Sequence, residues 1–261
     1  MQLDVRYPLL PRELSLHARA VMTHFGIHRQ TEPVVLADHV ELPIQPGDVV
    51  VFIGPSGAGK SSLLRAAVTA LRQPEGGETS PEMIQTDDIE LGDKLVIDTL
   101  PAELPASLEF LTACGLAEPR LLLRTPEELS EGQRYRLRLA CGLARRPAWL
   151  VCDEFTATLD RTLARVVAYN LARQARRFKI GCLLATTHED VLADLQPDIV
   201  VRCRLDATPE VTSQRASTGD GVKKKSSASR TSCGSPQVPV PTGRTSLGGI
   251  TAAIMWVVCG G

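Results

Sequence analysis

Between residues 34 and 53 the apolar positions fall into two runs separated by Pro46-Gly47-Asp48, a turn signal. The first run, Val34–Leu42, carries Val34, Val35, Leu36, Val40 and Leu42. The second, Asp48–Ile53, reads D-V-V-V-F-I without alternation, which predicts a strand buried on both faces of a sheet. A glycine-rich loop follows, and Ser61–Arg72 then places Leu63, Leu64, Ala67, Val68 and Leu71 at helical spacing, stopping before Pro74, Gly76 and Gly77. Further along, Trp149–Cys152, Gly181–Ala185 and Asp198–Cys203 predict buried strands. Glu131–Arg146 and Thr162–Arg177 predict helices between them. Residues 75–128 are broken by Pro101, Pro105, Pro119 and Pro126. There the pattern predicts only a short strand at Lys94–Ile97 and a helix at Leu108–Cys114 with Gly115 as its stop. Strands alternating with helices predict an α/β fold with a largely parallel sheet.

The pattern ends near residue 207. About half of residues 211–261 are Gly, Ser, Thr or Pro, and no amphipathic period lasts more than one turn. Six basic side chains there face one acidic group, Asp220. The chain therefore divides into residues 1–207, one folded unit, and residues 208–261, a low-complexity basic tail that is disordered or out of frame. The whole chain of 261 residues has a net charge of −1, which gives no general reason to expect nucleic acid or an anionic membrane as partner. No apolar run approaches the ~20 residues of a spanning helix. Asp4 and Arg6 close behind Met1 predict no secretory leader. The seven cysteines form no C-x-x-C pair and mostly sit in apolar runs. They read as small buried hydrophobes rather than zinc ligands or disulfides, consistent with a reducing cytoplasm.

Three segments carry chemistry. Gly54-Pro55-Ser56-Gly57-Ala58-Gly59-Lys60-Ser61 fits G-x-x-x-x-G-K-[ST], between a buried strand and a helix. The glycines let backbone N–H groups turn toward nucleotide phosphates, with Ser62 next in line. Lys60 reaches the β/γ-phosphates, and the Ser61 hydroxyl can ligate Mg²⁺. The helix behind the loop aims its N-terminus at the same anion. Asp153 and Glu154 end the apolar strand Trp149–Cys152. Asp153 there can hold Mg²⁺, and Glu154 can act as general base on an attacking water. Leu129-Ser130-Glu131-Gly132-Gln133 opens a helix with a Ser cap and a small Gly, a good anion site.

L-S-x-G-Q, in this order between the phosphate loop and the Asp-Glu strand, resembles the signature of the ATP-binding cassette (ABC) family of phosphate-loop NTPases. Two further segments are similar to family elements. Thr158-Leu159-Asp160 looks like the D-loop, which lies at the dimer interface in relatives. His188, after Leu183–Thr187, looks like the switch histidine that contacts the γ-phosphate. Phe25-Gly26 sits where the family places an aromatic residue that stacks on adenine, with core packing as the rival reading of Phe25.

The resemblance covers roughly residues 20–205 and departs from transporter cassettes in the middle. The stretch from Lys60 to Leu129 is short, which implies a shortened helical subdomain. Asp98 stands after Lys94–Ile97, where the family has a glutamine, and Gln85 is the nearest glutamine upstream. Asp98 either helps hold a Mg²⁺ water or caps the next turn. The arginines from Arg134 to Arg177 read as a solvated surface with acid partners, or as a nucleic-acid face.

The resemblance thus implies an ATPase using ATP and Mg²⁺, with Ser130, Gly132 and Gln133 of one copy facing the phosphate loop of another in a homodimer, or in a heterodimer with another cassette. It further implies a cytoplasmic protein that drives a partner in solution, the alternative being the ATP-binding subunit of a membrane transporter with a permease partner on another chain.

Overall fold

The chain enters through an antiparallel pair, β1 (Gln2–Tyr7) with β2 (Val34–Glu41), whose register shifts around Val5. The structure, a computed structural model, describes residues 1–7, 13–26, 34–73, 79–205 and 207–214. Between the two strands lies α1 (Leu16–Phe25). Ser15 caps its start by accepting from the Ala18 N–H at 3.2 Å. Gly26 ends it at φ 63°, the left-handed stop that glycine takes without penalty. Leu3, Ala37 and Leu42 bury the inner face of the pair.

Among the described residues the principal sheet has six strands. After β3 (Val49–Ile53) come α2 (Lys60–Arg72) and β4 (Met83–Gln85). Then follow α3 (Leu104–Ala113), α4 (Pro119–Leu122), α5 (Glu131–Ala144), β5 (Trp149–Cys152), α6 (Arg161–Phe178) and β6 (Gly181–Thr186). The chain continues through α7 (Leu192–Leu195), β7 (Ile199–Arg202) and β8 (Glu210–Ser213). Spatial order is β4-β5-β6-β3-β7-β8. All neighbours are parallel except β7 and β8.

Both faces of this sheet are covered, which explains the unbroken apolar runs. Val49, Val51, Ile53, Leu150, Cys152, Cys182 and Leu184 join one core with Phe110 and Leu111 of α3, Leu137 and Leu139 of α5, and Val167 and Leu171 of α6. The alternate residues Val50, Phe52, Trp149, Val151, Leu183 and Ala185 join the other with Leu63, Leu64, Ala67 and Val68 of α2. Gly181 is paired with Trp149 in the ladder, and a Cβ on it would lie 2.4 Å from the indole ring. Gly181→Ala therefore has to displace a fully packed Trp. The expected cost is about 1–3 kcal/mol, the scale of overpacking, seen as a Tm lowered by several degrees in thermal unfolding.

The expected helices and buried strands are present with ends shifted by a few residues. Lys94–Ile97 is not a strand: it leads into a single 3₁₀ turn, Val96–Asp98. The edge strand is Met83–Gln85 instead, three half-buried residues that among the described residues pair only with β5 and are too short to show a period. At the other edge the sheet continues past residue 207. β8 pairs Val200 with Thr212 and Val201 with Val211. Its sequence, Glu-Val-Thr-Ser, buries little beyond Val211 and so reads as tail. The reading of the tail from residue 215 onward lies outside the described residues.

Cys114, Cys141, Cys152, Cys182 and Cys203 are buried free thiols, as their apolar settings predict. Burial pushes Cys141 and Cys203 up to about 11 and Cys182 up to about 12, so they stay protonated. Cys233 and Cys259 lie outside the described residues. The arginines follow the solvated-surface reading. Arg165 pairs with Asp194 at 2.7 Å, and Arg161 and Arg177 pair with Asp190 and Glu109. Arg134 donates to the Leu129 carbonyl at 2.9 Å, and the Arg146 guanidinium lies 4.3 Å from the centre of the Phe178 ring.

Candidate active site

Gly54–Gly59 leaves the C-terminal end of β3 and turns directly into α2. A Cβ on Gly54 would sit 2.2 Å from the Cys203 carbonyl oxygen, so only glycine lets the loop pass β7 this closely. Gly57 and Gly59 have φ of 82° and 81°, in the left-handed region. The Ala58 N–H donates to the Pro55 carbonyl at 3.3 Å and closes the turn. No side chain caps α2, so its first turn faces the loop with backbone N–H groups and the positive end of the helix dipole. The Lys60 ammonium spans the loop and donates to the Pro55 carbonyl at 2.7 Å. The Ser62 N–H donates to Gly59 at 3.1 Å.

Ser61 and Asp153 are 92 positions apart, yet the Ser61 hydroxyl donates to Asp153 Oδ1 at 2.9 Å. The parallel strands β3 and β5 end on the same side of the sheet, with β6 between them, and this brings the two side chains together. The same carboxylate oxygen accepts from the Glu154 N–H at 3.0 Å. Glu154 is exposed and has φ 52°, so the chain turns sharply as the strand ends. Phe155 is fully buried, and its N–H donates to the Ala185 carbonyl at 2.7 Å, pinning the turn to β6. His188 follows β6. Its N–H donates to Thr186 Oγ1 at 3.1 Å, and its ring Nδ1 lies 3.2 Å from Thr156 Oγ1. Lys60, Ser61, Asp153, Glu154 and His188 thus gather at the carboxyl ends of β3, β5 and β6, where open parallel sheets place ligands.

A carboxylate that the sequence reading passed over joins this group. β4 runs in register with β5, Gln85 opposite Val151, and the Thr86 N–H continues the ladder to the Val151 carbonyl at 3.0 Å. Asp87 therefore emerges beside Asp153. Burial, and then the charge of Asp153, push its carboxyl above the usual range, while Arg138 pulls the other way. Asp98 does not reach this place. It is exposed, on the 3₁₀ turn that packs against α3 and α4, and its N–H donates to the Leu95 carbonyl at 2.8 Å. The error follows from placing the edge strand eleven residues too late; the run Gln85-Thr86-Asp87-Asp88, directly behind Met83-Ile84, held the signal.

Leu129 is buried, and Ser130 caps α5 in a reciprocal box. The Gln133 N–H donates to Ser130 Oγ at 3.3 Å, and the Ser130 N–H donates to Gln133 Oε1 at 2.9 Å. A Cβ on Gly132 would stand 3.1 Å from the Thr158 carbonyl oxygen, so the signature segment abuts Thr158-Leu159-Asp160. Asp160 caps α6, its Oδ1 accepting from the Leu163 N–H at 3.0 Å. Phe25, the last residue of α1, is 68% exposed, which excludes the core reading and leaves its ring available for stacking.

A glycine-rich phosphate loop between a buried strand and a helix, facing a strand that ends in Asp-Glu, defines a phosphate-loop NTPase. The ABC transporter family model matches residues 37–96. The chain is 34% identical over 177 residues to the aliphatic sulfonates import ATP-binding protein SsuB 1 of Rhodococcus jostii, covering 62% of this chain and 70% of the relative. It is 31% identical to the lipoprotein-releasing system ATP-binding protein LolD of Maricaulis maris, covering 65% of this chain and 86% of that one. Its fold is similar to the dimeric ATP-binding cassette MJ0796 bound to ADP and Pi, with a TM-score of 0.54 and 18% identity over 72% of this chain and 95% of that one. The protein belongs to the ABC family, has the α/β cassette fold and is an ATPase that binds ATP. Among the described residues no helix is long and apolar enough to cross a membrane.

Proposed function

We propose that residues 1–214 form a cassette that closes on ATP in a head-to-tail pair and reopens after hydrolysis, and that this motion drives a partner. The observation that carries the reading is the Ser61–Asp153 hydrogen bond, with Glu154 next to it and His188 at the same edge of the sheet. The phosphate loop, its helix N-terminus and Lys60 hold the phosphates. Ser61 and Asp153 present hard oxygen donors in contact with each other, a donor set that fits Mg²⁺. Held there, the ion would supply positive charge to the phosphates.

Glu154 takes a proton from the attacking water. The water oxygen bonds to the γ-phosphorus as the bond to the β–γ bridging oxygen breaks, giving ADP and phosphate. His188 holds the γ-phosphate in line. Phe25 stacks on the base, and Ser130, Gly132 and Gln133 close over the nucleotide of the second copy.

Gln85 supports coupling to a membrane permease, since it is the last residue of the edge strand Met83–Gln85, where a family glutamine could stand. The names of SsuB and LolD point the same way. The opposing observation is the small helical region, in which α3 has 10 residues and α4 has 4, and it favours a partner in solution. Fractionation after expression with the neighbouring genes discriminates the two. Recovery in membranes only when a multi-span protein is co-expressed supports the permease.

Ser61→Ala tests the metal assignment. It removes one oxygen donor and leaves Asp153 in place. The Mg²⁺ concentration for half-maximal ATPase is expected to rise on the order of 10-fold or more, with Mn²⁺–nucleotide binding followed by EPR weakening in parallel. An unchanged metal requirement sets the assignment aside.

A further inference from the structure

The turn after β5 contains a residue in an unusual conformation. Thr156 has φ 68° and is fully buried. A β-branched residue in the left-handed region is strained, and such residues persist only where their surroundings fix them. Three contacts do so here. The Thr156 N–H donates to the Tyr135 hydroxyl at 3.3 Å. Thr156 Oγ1 lies 2.6 Å from the Phe155 carbonyl oxygen and 3.2 Å from His188 Nδ1, and its one proton can be given to either.

Tyr135 lies on α5, five residues beyond Ser130, and is buried; burial pushes its phenol well up, so it stays neutral. The His188 backbone is held independently by Thr186 Oγ1. Its ring is therefore tied at Nδ1, and Nε2 is the nitrogen without a partner among the described residues.

Resting on the reading of His188 as the γ-phosphate contact, we propose that Thr156 is a positioning residue. Its hydroxyl, turning its one proton from the Phe155 carbonyl to Nδ1, fixes the His188 ring with the ring proton on Nε2, facing the phosphate, and Tyr135 anchors Thr156 in place. The partner that a ring nitrogen bonds sets which nitrogen carries the proton and how the ring is turned. The chain Tyr135–Thr156–His188 also joins the signature helix α5 to the histidine, so a displacement of α5 reaches His188 through two hydrogen bonds.

The test uses the full chain with Mg-ATP. Thr156→Val keeps the branched shape and removes the hydroxyl. It is expected to lower kcat ~10- to 10²-fold, the scale of a misplaced catalytic group, with KM for ATP little changed. Thr156→Ser restores the hydroxyl and is expected to recover most of kcat. Tyr135→Phe removes the anchor alone and is expected to lower kcat less. ¹⁵N NMR of the His188 ring supplies a readout that a general loss of stability does not move: the ring shifts change in Thr156→Val and return in Thr156→Ser. Wild-type kcat in Thr156→Val overturns the proposal, as does failure of Thr156→Ser to recover. If Thr156→Val does not fold, Tyr135→Phe decides, and unchanged kcat with unchanged ring shifts overturns it. His188→Ala separates the two levels. Wild-type hydrolysis there removes the reading of His188 itself, whereas impaired hydrolysis in His188→Ala with wild-type Thr156→Val removes only this inference.

Discussion

Glu154→Gln is expected to bind ATP normally and to hydrolyse it at least ~10²-fold more slowly, the scale of losing a general base. The geometry makes the substitution clean. Glu154 is exposed, and its structural hydrogen bonds are made by the backbone, the N–H to Asp153 Oδ1 at 3.0 Å and the carbonyl accepting from Ala157 at 2.9 Å. Gln preserves both bonds and the side-chain volume while removing the basic oxygen. The phosphate loop and the Ser61–Asp153 contact are untouched, so affinity for ATP is retained. Because hydrolysis reopens the pair in the proposed cycle, the variant is also expected to accumulate as an ATP-bound dimer. Steady-state phosphate release and size-exclusion chromatography with Mg-ATP check the two consequences separately. Hydrolysis at the wild-type rate removes Glu154 as the base. Slow hydrolysis without dimer accumulation keeps the base and removes the head-to-tail cycle.

The parts of this site that were legible in sequence are those made of contiguous residues. Gly54–Ser61 and Leu129–Gln133 declare themselves because each is one loop running into one helix, and its chemistry is mostly backbone. The central strands were legible because burial on both faces leaves no polar position in them before Thr186, the last residue of β6. The strands of the principal sheet that were missed lie at its edges. β4 is three residues long, and β8 is mostly exposed, so neither carries a period. Missing β4 put Asp98, instead of Gln85 and Asp87, at the end of the edge strand, an error of strand position. Contacts between distant segments were not legible at all. Nothing in the local sequence says that Thr156 meets both Tyr135 and His188, because that depends on how α5 and the ends of β5 and β6 converge.

Lys60→Ala is expected to weaken ATP binding about 10- to 10²-fold, which corresponds to the 1.5–3 kcal/mol of one charge-assisted hydrogen bond. Lys60 does two things in the structure. It begins α2, and its ammonium donates to the Pro55 carbonyl at 2.7 Å, across the loop that it closes. Alanine is a good helix former, so the start of α2 is retained. The left-handed turns of Gly57 and Gly59 do not depend on the side chain. The loss therefore falls on the phosphate contact and not on the fold, and thermal unfolding without nucleotide is expected to change little. Lys60→Arg sharpens the test. It keeps the charge but replaces a compact ammonium with a planar fork, which a loop closed around one carbonyl does not accommodate equally well. Arginine is expected to recover only part of the affinity. Equilibrium titration with a fluorescent ATP analogue, alongside far-UV circular dichroism, measures both quantities. Wild-type affinity in a folded Lys60→Ala protein would falsify the assignment of Gly54–Ser61 as the phosphate loop, and the Mg²⁺ and Glu154 roles built around it would fall as well.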